Sequence, residues 1–277
     1  MSADKIKRSI KSNQRIYLLY RSVRNKSLLE YKIVRKQIWQ ALDKNEDQKK
    51  VMINIGGGCY MRRHWKVMDY VSKHYPYPRG CIDYPYDLTS NQPFPFYNDS
   101  VNFFFSSHTI EHIPQEFCQN IFNEIYRCLK PGGSARLSTP DFDLAYEAYG
   151  DHSKIFPAVH YTEKTLESKF LHYFAGVLRH KISPEIVQEK YKSLSKEDFA
   201  NYFTNQIPRS YLQTHAGNHY NWWTYDKLSE MLKIAGFSNI YRSQTQKSKF
   251  DEFKGEGRNS GFDSTHPNLS LYVECVK

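Results

Sequence analysis

Apolar and polar positions change period several times along this chain, and each change marks an element. Val51 to Ile55 is an apolar run of strand length that breaks into Gly56, Gly57 and Gly58. Without a Cβ, a strand end can turn sharply and bring its backbone close to a ligand. Trp65 to Asp69 (WKVMD) predicts a second strand ending in a carboxylate, and Val101 to Phe105 a third that leads into SSHTIEHIP from Ser106. Phe117, Ile121, Ile125 and Leu129 recur every four residues, which is one face of a helix. Lys130 to Gly133 (KPGG) stops that helix before a strand over Ala135 to Ser138. From Asp141 to Thr214 the pattern is helical near Thr162 to Leu178 and Pro184 to Lys192. Structureless loops of that length are uncommon in compact domains, so an inserted helical lid is expected. Thr224 reads as the N-cap of a last helix through Leu228 to Phe237, and the alternation from His266 to Val276 reads as a closing strand.

The order strand, glycine turn, strand, strand, helix, strand resembles the class I S-adenosylmethionine (SAM)-dependent methyltransferases. INIGGG looks like that family's first motif, Asp69 like the acid at the end of its second strand, and Tyr86-Asp87-Leu88 like its adenine-side motif. SSHTIEHIP looks like the fourth-strand signature, LKPGG like the turn before the fifth strand, and LSEMLKIAGF like the last helix. The resemblance implies a seven-stranded α/β Rossmann-like sheet, SAM as cofactor and S-adenosylhomocysteine (SAH) as product. It implies cofactor contacts from Asn54, Gly56, Gly57, Gly58, Asp69, Asp87, Leu88, Ser107, His108 and His112. More narrowly, the string from WKVMD through SSHTIEHIP and the ending SLYVECVK are similar to small methyltransferases of surface-polysaccharide biosynthesis, which implies a sugar or nucleotide-linked sugar acceptor.

The pattern departs from the family in one place. Its glycines are adjacent, and only Cys59 to His64 separate them from the second strand, less than two helical turns. The first helix is therefore expected to be missing or supplied from elsewhere. Arg62 and Arg63 are candidates to pair the methionine carboxylate, with a solvated surface role as the competing reading.

A chain of 277 residues has room for one catalytic domain with additions. The expected division is a basic helical extension over 1–50 and a methyltransferase domain over 51–277, with the lid at about 141–214. Of the formal charge of +10, residues 1–50 carry 14 Lys or Arg against 5 Asp or Glu, so the excess sits almost entirely at one end. Ile10, Tyr17, Tyr20, Arg24, Leu28, Tyr31 and Ile38 recur there at helical spacing. A helix packed on the core in place of the missing one, a membrane-surface or partner-binding arm, and a nucleic-acid arm compete as readings. The first is favoured because the apolar positions include bulky aromatics, and a nucleic-acid substrate is disfavoured because the charge lies outside the catalytic sequence. Aromatic residues at 16%, with 22 tyrosines, favour a site or interface built on ring faces.

Five cysteines, Cys59, Cys81, Cys118, Cys128 and Cys275, without a C-x-x-C pair indicate neither a disulfide framework nor a zinc cluster. No stretch reaches the roughly 18 apolar residues of a membrane span, and a soluble cytoplasmic protein is expected. Oligomeric state is not legible.

Transfer of a methyl group from a sulfonium requires in-line positioning, plus removal of a proton where the acceptor is a hydroxyl. His219, set among Asn218, Tyr220 and Trp222, is the expected base, followed by His215 and by Asp141 at the end of the fifth strand. Tyr220, Trp222 and Arg258 are the expected substrate contacts. Asp141 and Asp143 are too few for a metal site, and none is expected. A non-catalytic SAM-binding module is the competing reading from another class, and methylation of another small metabolite at O or N the rival within the enzyme class.

Overall fold

The computed structural model describes residues 50–59, 62–77, 80–152, 165–254 and 268–277. The helical extension expected over 1–50, apart from Lys50, and the substrate contact expected at Arg258 lie outside these residues. The chain divides into two compact units between Tyr86 and Asp87.

In the first unit, strands β1 (Met52–Ile55), β2 (Trp65–Asp69) and β3 (Tyr84–Pro85) are parallel neighbours, with Met52 opposite Trp65 and Met68 opposite Tyr84. Every residue of β1 is buried, as expected of a parallel strand covered on both faces. The described residues between β1 and β2 are turns and carry no helix, in keeping with the six-residue gap. Cys59 and Cys81 form a disulfide, with Cα atoms 4.9 Å apart. This corrects the cysteine reading: the pairing depends on the turn after β1 meeting the loop after β2, which spacing alone does not reveal. The bond also removes one support of the cytoplasmic expectation, because disulfides persist mainly in oxidising compartments.

The second unit contains strands β4 (Val101–Ser107), β5 (Leu129–Pro140), β6 (Asn239–Arg242) and β7 (Ser270–Val276). β4 and β5 are parallel, whereas β7 runs antiparallel to both β5 and β6. The strands make a seven-stranded mixed sheet of order β3-β2-β1-β4-β5-β7-β6, the α/β Rossmann-like arrangement that the order of motifs implied. β5 begins at Leu129, earlier than expected, and its register against β4 shifts between Val101 and Phe103. A Cβ on Gly133 would stand 2.8 Å from the Lys130 carbonyl and 2.9 Å from that of Asn102, so glycine is required where the chain passes between them.

Helix α1 (Gln115–Cys128) buries Cys118, Ile121, Phe122, Ile125 and Cys128. It meets helix α6 (Tyr225–Ile234) through Gln119, which donates to the Met231 carbonyl at 3.1 Å. Thr224 caps α6 by accepting from the Lys227 amide, as expected. The insertion holds α2 (Phe142–Gly150), α3 (Leu166–His172), α4 (Pro184–Ser193) and α5 (Lys196–Thr204). These helices share an aromatic core of their own, in which Phe170 stacks on Tyr149 at 4.6 Å and on Phe199 at 5.4 Å between centroids. Burying aromatic rings of about 150–250 Å² each explains why the insertion is ordered helix and not loop. No described helix is long and apolar enough to cross a membrane.

Candidate functional site

The glycine turn of the first unit is held by the carboxylate at the end of β2. The Gly58 amide donates to Asp69 Oδ2 at 2.6 Å and the Tyr70 amide to Oδ1 at 2.6 Å, while the Gly56 amide donates to the Met68 carbonyl at 2.8 Å. Gly58 has φ of +52°, and a Cβ on Gly57 would stand 2.4 Å from Asn54 Nδ2. Asn54 is buried beneath the turn, and its amide occupies the space a side chain would need. Tyr77 lies beside Gly58, and burial followed by the Asp69 charge raises its phenol above the usual range. The turn, the acid and Asn54 thus lie together.

In the second unit the chain leaves β4 at His108, whose φ of +50° is left-handed and whose amide donates to the Ser138 carbonyl at 2.8 Å. A single turn over Ile110–His112 follows, and the segment after the insertion comes back against it. The amides of Tyr220 and Asn221 both donate to the Glu111 carbonyl, at 2.8 and 3.1 Å. That pairing sets His219 beside His112, with ring centroids 4.8 Å apart, and the His172 ring lies 5.9 Å from that of His219.

The hydrogen bonds determine the tautomers. His112 Nδ1 lies 2.9 Å from the Asn218 carbonyl and His219 Nδ1 2.8 Å from the Tyr173 carbonyl. A carbonyl only accepts, so each Nδ1 carries a hydrogen, and in a neutral ring the lone pair then lies on Nε2. Glu111, 1% exposed, completes the cluster. Its Oε1 lies 3.0 Å from His108 Nδ1 and 4.0 Å from His112 Nε2, and its Oε2 accepts from Thr139 Oγ1 at 3.2 Å. Burial, the largest single influence, would raise this carboxyl, but the His108 ring, with those of His112 and His219 behind it, holds the group down at about 2. Burial, then the His112 ring, push His219 down to about 3, so its imidazole is neutral at physiological pH.

Several expected site residues have other work. Asp141 is buried as the N-cap of α2, accepting from the amides of Asp143 and Leu144, and is ion-paired with Arg242. Its carboxylate is committed to structure, which corrects its expected catalytic role. His215 is exposed, with Nδ1 2.7 Å from Thr214 Oγ1, and its carbonyl accepts from the Tyr220 hydroxyl at 3.1 Å. Tyr220 and Trp222 belong to the aromatic core of the insertion, and the Trp222 indole donates to Asn201 Oδ1 at 3.0 Å. They are packing residues, which corrects their assignment to substrate. Asp87 Oδ1 accepts from the Thr89 amide and hydroxyl at 2.8 and 2.7 Å, Leu88 is buried, and Ser107 Oγ accepts from Ser138 at 2.9 Å. Besides Glu111, His172 and Lys227 were missed. Glu111 stood in plain view inside SSHTIEHIP, whereas the other two carry no motif.

A sheet with β7 antiparallel at its second-to-last position, a glycine turn clasped by the acid after β2, and a polar cluster at the carboxyl end of β4 define a methyltransferase-type fold with ligand groups at its strand ends. Residues 68–137 match the family model described as Methyltransferase domain. That match supports methyl transfer as the chain's activity and SAM as its cofactor. Among solved structures it is similar to a SAM-dependent methyltransferase and possible histamine N-methyltransferase of Thermotoga maritima, at 15% identity over 98% of this chain and 97% of that one, TM-score 0.40. It is also similar to a SAM-dependent methyltransferase of Mesorhizobium loti, at 16% identity over 86% and 97%, TM-score 0.41, and to human N-acetylserotonin methyltransferase in complex with SAM, at 11% identity over 100% and 60%, TM-score 0.36. No curated protein matches the chain.

Proposed function

We propose that this enzyme transfers the methyl group of SAM to a hydroxyl of a small-molecule acceptor of the sugar or nucleotide-linked sugar class. The observation that carries this reading is the grouping of the His112 and His219 rings with the buried Glu111 carboxylate. All three accept hydrogen bonds, and a hydroxylated acceptor offers hydrogens to match them. In this reading the cluster of His219, His112 and Glu111 orients the acceptor oxygen, and Gly56, Gly57, Gly58 and Asp69 hold the cofactor. Asp87, Leu88, Ser107 and His108 keep the cofactor-side roles that the resemblance implies. O- or N-methylation of another small metabolite is the rival reading. A peripheral contact of residues 1–50 with a membrane or partner is a separate proposal on the strength of their charge.

The test is formation of SAH from SAM with panels of nucleotide sugars, hydroxylated metabolites and amines. Turnover confined to the sugars supports the reading, and turnover confined to amines overturns it. The cofactor half is tested independently by calorimetry with SAH. Asp69→Asn removes the charged acceptor proposed for the ribose hydroxyls, a hydrogen bond to a charged group contributing about 1.5–3 kcal/mol, so at least a tenfold loss of affinity is expected. Unchanged affinity would remove Asp69 from the cofactor site.

A further inference from the structure

We propose that Glu111, His112 and His219 bind a divalent transition-metal ion. One ligand atom from each of the three lies within 4.8 Å of the others. Two imidazoles and a buried carboxylate gathered at this separation form a donor set that a cation would satisfy. The supporting groups match those of metal ligands. Each histidine donates its other ring hydrogen to a backbone carbonyl, Asn218 for His112 and Tyr173 for His219, which is the usual second contact of a metal-bound imidazole. The carboxylate is itself held, by His108 on Oε1 and by Thr139 on Oε2. Two imidazoles and one carboxylate suit Zn²⁺, Fe²⁺, Mn²⁺ or Co²⁺ better than Mg²⁺ or Ca²⁺, which prefer oxygen donors, and such a triad leaves coordination positions open to a further ligand. Ligand distances of about 2.0–2.2 Å require the three donors to close in, a movement of about 1 Å each, with the carbonyl contacts as pivots.

The cluster lies wholly within the second unit. Metal binding is read without SAM or acceptor, so its failure and the failure of the proposed acceptor class are separate outcomes. The full chain, untagged and stripped with a chelator, is dialysed against Zn²⁺, Co²⁺ or Mg²⁺, and bound metal is counted by atomic emission. One Zn²⁺ or Co²⁺ per chain and no Mg²⁺ is expected, with visible Co²⁺ bands of an ion carrying nitrogen ligands. His112→Gln and His219→Gln are each expected to lower affinity by about 100-fold or more, with far-UV circular dichroism unchanged, while His215→Gln on the exposed loop retains the ion. Absence of stoichiometric binding to the wild type overturns the proposal, as does binding that survives in both glutamine variants. Should those variants fold poorly, the wild-type Co²⁺ spectrum decides: the weak bands of an oxygen-only, water-like sphere overturn the site.

Discussion

The ammonium of Lys227 lies among groups that make its charge expensive and at the same time hold it. Its Nζ donates to Asn221 Oδ1 and to the Trp222 carbonyl, both at 2.9 Å, and stands 3.7 Å from the centroid of the Trp222 ring. Burial nevertheless pushes it down to about 7, far below the usual lysine value near 10.4. The unfolded chain therefore keeps this proton between about pH 7 and 10 where the folded chain gives it up, and stability from this residue rises with pH across that window. Below pH 7 both states are protonated and the penalty is fully present. Lys227→Met removes the titration while keeping most of the side chain's bulk. The melting-temperature difference, variant minus wild type, is expected to be most positive at pH 7 and to fall steadily towards pH 10. A difference independent of pH would show that the ammonium is not destabilised by its surroundings. Lys227 was illegible in the sequence, because a lysine in an amphipathic helix next to an N-cap looks like any solvated one. Tyr220 and Trp222 were misread for a related reason: aromatic density has the same appearance whether rings line a ligand or, as here, fill a core. His112 and His219 were legible as chemistry, but their tautomers were not, since these depend on carbonyls of Asn218 and Tyr173 brought close only by the fold.

Elements were read with more success than side chains, because period and punctuation are local. The four-residue spacing of Phe117, Ile121 and Ile125 gave α1, and Thr224 marked the start of α6. The turn Lys130 to Gly133 was read correctly as a helix stop, although the fifth strand takes it in from Leu129. The turn after β1 differs in kind, because one of its constraints is covalent. Cys59 and Cys81 are 22 residues apart, and closing a loop of that size in the unfolded chain is worth about 3 kcal/mol in the chain-entropy account. The double variant Cys59→Ser, Cys81→Ser is therefore expected to lose stability of about that size in urea titration under oxidising conditions. It should match the reduced wild type closely. A loss below about 0.5 kcal/mol would mean that backbone bonds such as Gly58 to Asp69 hold the turn without the crosslink.

At the scale of the molecule the open question is what stands where the fold's first helix would be. The turn residues described between β1 and β2 leave no room for two helical turns, while residues 1–50 carry a net charge of +9 together with bulky apolar residues at helical spacing. If that segment packs on the catalytic core, its apolar face is buried in the native state and its removal costs stability. If it is an arm for a membrane or a partner, removal costs only binding. Truncation after residue 45 separates the two. On the packing reading, even about 1.5 kcal/mol lost lowers the melting temperature by roughly 3 to 6 °C in a domain of this size, and that fall is the expected outcome. It should be accompanied by weakened SAH affinity, because the turn at Gly56 to Gly58 would lose support on one side. An unchanged melting curve, with loss of binding to anionic vesicles that high salt also abolishes, would instead assign the segment to a membrane surface.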